Sequence, residues 1–102
     1  MSVEHWDVAR DGPVSEQSMR RKLEARGSQM SCYVYLRGTS FPEHTHGIDK
    51  IDALLAGRFR MTMGPTLVVL EASDCLPMPR GAVHRADVVG NESVISLDAT
   101  KE

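Results

Sequence analysis

The stretch Gly38–Gly57, "GTSFPEHTHGIDKIDALLAG", places two histidines one residue apart and follows them with a lysine and an aspartate. On a β-strand, residues i and i+2 point to the same face, so His44 and His46 can direct both imidazoles at one point. Imidazoles in that arrangement are typical ligands of a transition metal. Lys50 opposes a metal at this point, because an ammonium group repels a dication and cannot be a ligand while protonated.

A third histidine closes a later stretch, Ser73–His84, which reads "SDCLPMPRGAVH". The prolines and the glycine predict a turn, and His84 follows it at the start of a strand. A third imidazole from a neighbouring strand would complete one face of a metal's coordination shell. His5 fits no such spacing, so we interpret it as a surface residue.

Together the two stretches resemble the two sequence motifs of the cupins. The first motif is a glycine, five residues, His-x-His, an acid and a closing glycine; the second is a glycine, five residues, Pro-x-Gly, two residues and a histidine. The resemblance implies an all-β fold, the double-stranded β-helix of the cupin or jelly-roll barrel, with the site inside the barrel and often a homodimer. The matching residues are Gly38, His44, His46 and Gly57 in the first motif and Pro79, Gly81 and His84 in the second.

Three positions depart from the pattern, and one of them is Val88, where an asparagine sometimes ends the second motif. Ser73 stands where the second motif begins with glycine, and Lys50 stands where the first motif has its glutamate ligand. Asp52 shares the inward face with Lys50, so it could neutralise the lysine or supply the missing carboxylate. Alternatively, Lys50 could extend to the barrel mouth and keep its charge in water. A third alternative is a centre of three histidines alone, which some cupin dioxygenases use.

The rest of the chain predicts one short helix followed by strands. Ser15 is a good N-cap and Gly27 a good terminating residue for a helix over 16–26. The segment 30–37, "MSCYVYLR", has apolar residues on both faces of a strand, which predicts a strand that is covered on both sides. We expect a single domain, with an N-terminal arm and helix over 1–29 and the barrel over 30–102. Further strands are predicted at 58–63, 66–72, 82–89 and 93–99.

Composition narrows the class of protein. The chain has 102 residues, of which 41% are hydrophobic and 25% charged, with a net charge of −2. That balance gives no electrostatic case for nucleic acid or an anionic membrane as a partner. No apolar run reaches the ~18 residues of a transmembrane helix, and no signal-peptide pattern opens the chain, so we expect a cytoplasmic protein. Cys32 and Cys75 are predicted to be reduced thiols packed as small hydrophobes.

The site prediction has two alternatives. In the first, His44, His46 and His84 hold a divalent transition metal (Fe, Mn, Ni and Zn are not distinguished), beside which a small organic molecule is bound or transformed. Whether the protein is an enzyme is left open; a dioxygenase or an isomerase fits, with Lys50 and Asp52 as catalytic candidates. In the second, the barrel holds no metal and is a non-catalytic ligand-binding or sensory module with Lys50 and Asp52 as polar anchors. The predicted substrate-binding residues are Lys50, Asp52, Tyr35, Phe59, Met61 and Met63.

Overall fold

The computed structural model describes residues 1–101 as two N-terminal helices followed by eight strands. Helix α1 spans Val8–Asp11 and helix α2 spans Glu16–Glu24. Neither helix is long and apolar enough to cross a membrane. The strands are β1 Gln29–Tyr35, β2 Ser40–His44, β3 Asp49–Ala56, β4 Arg58–Met63, β5 Thr66–Leu70, β6 Cys75–Met78, β7 His84–Val89 and β8 Val94–Lys101.

The strands form two antiparallel sheets of four strands each. The first sheet has the order β1-β8-β3-β6, and the second has the order β2-β7-β4-β5. Because alternate side chains point to opposite faces of a strand, each sheet contributes one apolar face to a shared core. The predicted double-stranded β-helix, a jelly-roll barrel, is therefore confirmed. The buried core residues are Leu54, Phe59, Met61, Leu70, Leu76, Met78, Ala86, Val88 and Val94.

Helix α2 covers the outer face of the first sheet. It starts as predicted at Ser15, whose side chain accepts a hydrogen bond from the Ser18 N–H at 3.0 Å. Met19 and Leu23 are fully buried, and burial of each stabilises the fold by about 2 kcal/mol. The helix ends two residues earlier than predicted, ahead of Gly27, which has a φ of 79°. The sheet residues in the same cluster are Ala53, Cys75, Leu97 and Ala99.

Strand β1 corrects one prediction. The segment 30–37 was expected to be covered on both faces, but Val34 is 61% exposed and Leu36 67% exposed. The reason is position: β1 is an edge strand of the first sheet, and the buried residues that pack with Met19 and Leu23 of α2 come from β3, β6 and β8. Cys32 is exposed on the same strand, contrary to the prediction, whereas Cys75 is buried; both thiols are free.

The N-terminal arm is attached to the other edge of the first sheet. Glu4 and Cys75 exchange two backbone hydrogen bonds of 2.7 and 2.9 Å, which extends the sheet beyond β6. His5 Nδ1 lies 2.8 Å from Asp74 Oδ1, well away in sequence from the other histidines. The boundary between arm and barrel at residues 29 and 30 stays a prediction, and residue 102, the predicted end of the barrel, lies outside the described residues.

Two turns show what the motif glycines do. Gly57 joins β3 to β4 with a φ of 80°, and a Cβ there would lie 2.6 Å from the Ser93 carbonyl oxygen, so glycine alone fits. Ser73, at the position of the glycine that opens the second motif, also has a positive φ of 76°. A left-handed conformation costs a residue with a Cβ about 1 kcal/mol. The loss of that glycine is therefore a small one.

Candidate metal centre

Three histidines meet at one end of the barrel interior. His44 is the last residue of β2, His46 lies in the loop that follows, and His84 is the first residue of β7. His44 and His84 face each other as register partners, which brings the two motifs together. One ligand atom from each of the three side chains lies within 4.8 Å of the others, and within residues 1–101 this is the one group of three or more possible ligands so arranged.

Hydrogen bonds orient two of the three rings. His44 Nδ1 lies 2.7 Å from the Pro42 carbonyl oxygen, and His84 Nδ1 lies 2.9 Å from that of Ala82. A carbonyl only accepts, so each Nδ1 carries the proton and each Nε2 keeps its lone pair for a ligand. His46 Nε2 is buried without a hydrogen-bond partner among the described groups. Because unpaired buried polar atoms are rare, this nitrogen fits a metal ligand.

The surroundings of His46 and His84 favour the neutral form of imidazole that binds metals. Burial lowers the pKa of His46, and Lys50 and the other two imidazoles lower it further. Burial also lowers the pKa of His84, against the hydrogen bond to Ala82. A lowered imidazole pKa reduces competition between protons and a metal ion near neutral pH. The donor set is therefore suited to a transition metal.

A buried charged cluster faces the histidines from the first sheet. Lys50 Nζ lies 3.1 Å from Asp52 Oδ1 and 3.4 Å from Asp98 Oδ2. Asp98 also accepts hydrogen bonds from Ser96 Oγ at 2.8 Å and from the Tyr35 hydroxyl at 3.1 Å. We call these five residues the Lys50 network. Inside the barrel, the ammonium group of Lys50 therefore lies close to two carboxylates, those of Asp52 and Asp98.

The ionisation of the network follows from its burial. Burial raises the pKa of Asp52 to about 6, against the attraction of Lys50 and with the repulsion of Asp98. Burial lowers the pKa of Lys50, but the two carboxylates outweigh that effect and raise it above its ordinary value. The pKa of Tyr35 is raised by burial and by Asp98. Lys50 is thus a stable cation.

The three histidines and the Lys50 network, except for Ser96, border one cavity of about 160 Å³. Of the predicted pocket residues, all but Met63 line it; Met63 lies farther along β4 and packs against the barrel core. A larger hollow of about 320 Å³ lies outside the barrel, beside the end of α2, and no histidine lines it. The possible metal ligands therefore lie at the smaller cavity. Its lining residues are Tyr35, Phe41, His44, His46, Lys50, Asp52, Phe59, Met61, His84, Ala86 and Asp98.

Asp98 is the site residue that the sequence did not reveal. It lies directly opposite Asp52 in the pairing of β3 with β8. The alternation of residues along β8 could have revealed it. Val94, Ser96 and Asp98 share one face of the strand, and Val94 is buried in the core. Asp52 is paired with Lys50 and is not part of the group of mutually close ligand atoms. The described metal-ligand group thus contains imidazoles and no carboxylate.

Comparison with known proteins agrees with the fold. No family model and no curated protein matches the chain. Among solved structures, a Cupin 2 conserved barrel domain protein from Salinispora arenicola matches 74% of this chain and 63% of its own, with 21% identity and a TM-score of 0.66. A cupin superfamily protein from Desulfitobacterium hafniense matches 72% of this chain and 65% of its own, with 23% identity and a TM-score of 0.62.

A third solved structure, an uncharacterized conserved protein with a double-stranded β-helix domain from Klebsiella pneumoniae, matches 72% of this chain with 20% identity and a TM-score of 0.61. The chain spans slightly less than two thirds of the length of these three proteins. At such identities the likeness concerns the fold. The motif spacing, the two facing sheets and these neighbours lead to one conclusion: this chain has the double-stranded β-helix fold of the cupins.

Proposed function

We propose that this protein holds a divalent transition metal ion through His44, His46 and His84, and that it binds or transforms a small organic molecule beside the ion. One observation carries the proposal: among residues 1–101, His46 Nε2 is buried without a hydrogen-bond partner, in a group of three imidazoles whose ligand atoms lie within 4.8 Å of one another. When bound, the ion would supply Lewis acidity or a site for oxygen chemistry. Fe, Mn, Ni and Zn all accept imidazole ligands.

The Lys50 network supports the proposal through its charge. Lys50 contributes +1, and Asp52 and Asp98 contribute −1 each when ionised, so the three together carry −1. A single glutamate at position 50 would carry the same charge. The lysine therefore weakens the attraction for a cation far less than its own charge suggests, because both carboxylates lie within 3.4 Å of its ammonium group.

The remaining cavity wall would bind and orient the organic molecule. Phe41 contacts Tyr35 edge-on with ring centroids 4.9 Å apart, and Phe59 stacks on Tyr35 at 5.5 Å. These rings form an apolar wall that excludes water, while the Lys50 network offers polar groups at one end. A cavity of about 160 Å³ corresponds to roughly five water volumes, which limits the ligand to a small molecule.

Metal content tests the proposal. The protein is purified without added metal or chelator and dialysed against Fe²⁺, Mn²⁺, Ni²⁺ or Zn²⁺, one ion at a time. We expect about one equivalent of at least one ion in the wild type and none in the His44→Ala, His46→Ala double variant. His5→Ala is the matched control and should bind like the wild type, since His5 contacts Asp74 instead. A wild type that takes up none of the four ions overturns the proposal.

A metal-free ligand-binding or sensory module is the second candidate. It is favoured by the polar groups of Lys50, Asp52 and Tyr35, which border an aromatic-walled cavity and could anchor a ligand without an ion. Catalysis is then not expected. This candidate predicts that small polar molecules raise the melting temperature of metal-free wild-type protein and that a Tyr35→Phe variant loses this response. A response that requires added metal contradicts it.

We further propose that the protein is a cytoplasmic homodimer. Val34 and Leu36 are exposed on or next to the edge strand β1, beside Cys32, and such an edge needs protection from non-specific pairing. The free thiols suit a reducing compartment. Sedimentation should give twice the mass of the chain for the wild type and a smaller species for Val34→Lys. A monomeric wild type at micromolar concentration contradicts the homodimer.

A further inference from the structure

Two carboxylates of the Lys50 network face each other but have different surroundings. Asp98 holds three donors, with Ser96 on Oδ1 and both Tyr35 and Lys50 on Oδ2. For Asp52, Lys50 is the one basic side chain within reach among residues 1–101, and it approaches Oδ1. The other polar contact of Asp52 is the Asp98 carboxyl, and a hydrogen bond between the two carboxyl groups raises the pKa of Asp52. Asp98 is thus occupied by donors, whereas Asp52 keeps an oxygen available for a proton.

Burial makes Asp52 a better proton acceptor than an ordinary aspartate. Its side chain is 5% exposed and borders the cavity, so a bound molecule can reach it without bulk water between them. Its pKa is raised to about 6, close to the value that suits proton transfer near neutral pH. Two carboxyl groups in unlike surroundings can divide such roles, one keeping its charge and the other exchanging a proton.

We propose that Asp52 is the proton-accepting catalytic residue of the cavity, and that the substrate is a small uncharged carbonyl compound with a hydrogen on the carbon next to the carbonyl. The inference rests on the proposed metal centre, which would polarise the carbonyl. The Asp52 carboxylate takes the proton from carbon, the C–H electron pair becomes the π bond of a C=C, and the carbonyl π pair moves to oxygen. Return of a proton to carbon regenerates the carbonyl compound, so no oxidant or reductant is needed.

The substrate class follows from size and charge. The cavity of about 160 Å³ admits only a short molecule. The one ammonium group that lines it already lies between two carboxylates, so Lys50 is not a free cation for a carboxylate or phosphate. An uncharged carbonyl compound needs no such cation, and the apolar wall of Tyr35, Phe41 and Phe59 suits its carbon skeleton.

Hydrogen exchange on two probes of similar size tests the inference. Zinc-loaded protein is incubated in D₂O with hydroxyacetone, which is uncharged, or with pyruvate, which is anionic, and NMR follows deuterium entering the carbon next to the carbonyl. We expect wild type to exchange hydroxyacetone at least tenfold faster than pyruvate. Asp52→Asn should slow the exchange about a hundredfold, the usual contribution of a general base. Asp49→Asn, on the same strand but exposed and bonded to the Arg80 N–H, should not change it.

A second measurement does not depend on activity. In metal-free protein, carbon-13 NMR should find one aspartate carboxyl that titrates well above the others and is absent from Asp52→Asn. No such carboxyl, or equal exchange in wild type and Asp52→Asn samples that both hold one equivalent of zinc, overturns the role of Asp52 and leaves the metal centre intact. Equal rates for pyruvate and hydroxyacetone overturn the substrate class. A wild type that takes up none of Fe²⁺, Mn²⁺, Ni²⁺ and Zn²⁺ overturns the metal proposal and, with it, this inference.

Discussion

The two ends of the barrel cavity treat polar groups in opposite ways. At one end, β2, β7 and the loop after β2 bring three imidazoles together, and the Nε2 of His46 is buried with no hydrogen-bond partner in the described part of the chain. At the other end, β1, β3 and β8 supply the Lys50 network, whose charges and hydroxyls bind one another. The difference supports the proposal that an ion or ligand binds at the histidine end, while the charges of the Lys50 network set the electrostatic field around it.

The largest expected effect comes from His46→Leu. The binding free energy of a metal ion at an imidazole or thiolate site is on the order of 10 kcal/mol. Loss of one of three ligands should therefore weaken binding by at least ~4 kcal/mol, or about a thousandfold. The metal-free protein should lose no stability, because His46 Nε2 has no hydrogen bond to lose. Equilibrium dialysis and thermal unfolding without metal measure both quantities. A marked fall in the stability of the metal-free variant would show that His46 makes a stabilising polar contact, contrary to this expectation.

Lys50→Met should disrupt the Lys50 network. It leaves Asp52 and Asp98 buried without their cation, which should destabilise metal-free protein by about 3 kcal/mol at pH 8. Lys50 lowers the pKa of Asp52, so its removal raises that pKa further above 6. At pH 5 Asp52 then carries a proton, and the loss should shrink. Chemical denaturation at both pH values checks this, with Lys101→Met, an exposed lysine, as control. If the loss of stability were the same at both pH values, repulsion between the buried carboxylates of Asp52 and Asp98 would not be its cause.

Wild type and Asp52→Asn should respond differently to pH. The pKa of Asp52 is raised from 3.8 to about 6 on folding, so between these values the folded protein binds the extra proton. Stability from this group is therefore gained as pH falls from 7 to 4 and lost as pH rises. We expect metal-free wild type to gain on the order of 2 kcal/mol relative to Asp52→Asn over that range. Parallel stability curves would contradict the shift.

The smallest effect should come from Tyr35→Phe, which removes one donor to Asp98. The loss should be about 1 kcal/mol, the usual net value of a hydrogen bond, and slightly more if the carboxylate is left short of donors. Tyr33→Phe is the matched control, because Tyr33 stacks on Tyr35 but is 47% exposed. Urea denaturation of both variants gives the difference. Equal losses would show that packing and not the hydrogen bond matters.

The sequence predicted the fold and the histidine group because both depend on spacing. Strand period two fixes the common direction of inward side chains on each strand, and glycines such as Gly57 and Gly81 fix the turns between strands. These are local properties. His46 joins the group from the loop just after β2 and not, as the spacing had predicted, from a strand. His44 and His84 become register partners once the two motifs lie on neighbouring strands.

Asp98 and the exposure of β1 could not be predicted in this way. Asp98 belongs to the network because β8 pairs with β3 so that residue 98 lies opposite residue 52. The local sequence pattern does not specify the register between strands that are distant in the chain. The apolar residues of β1 indicate a buried strand on pattern alone. Their exposure follows from the position of β1 at a sheet edge and from where α2 packs. Both features depend on tertiary arrangement.

The close packing of Lys50 between Asp52 and Asp98 also restricts the order in which this cavity can be altered. A glutamate introduced at position 50 would place three carboxylates together in a largely buried space, with no cation among the network's own residues. The same glutamate should cost less stability once Asp98 has become asparagine, because two carboxylates then lie together instead of three. A glutamate beside the three histidines is therefore reached with a smaller loss of stability when Asp98 is replaced first.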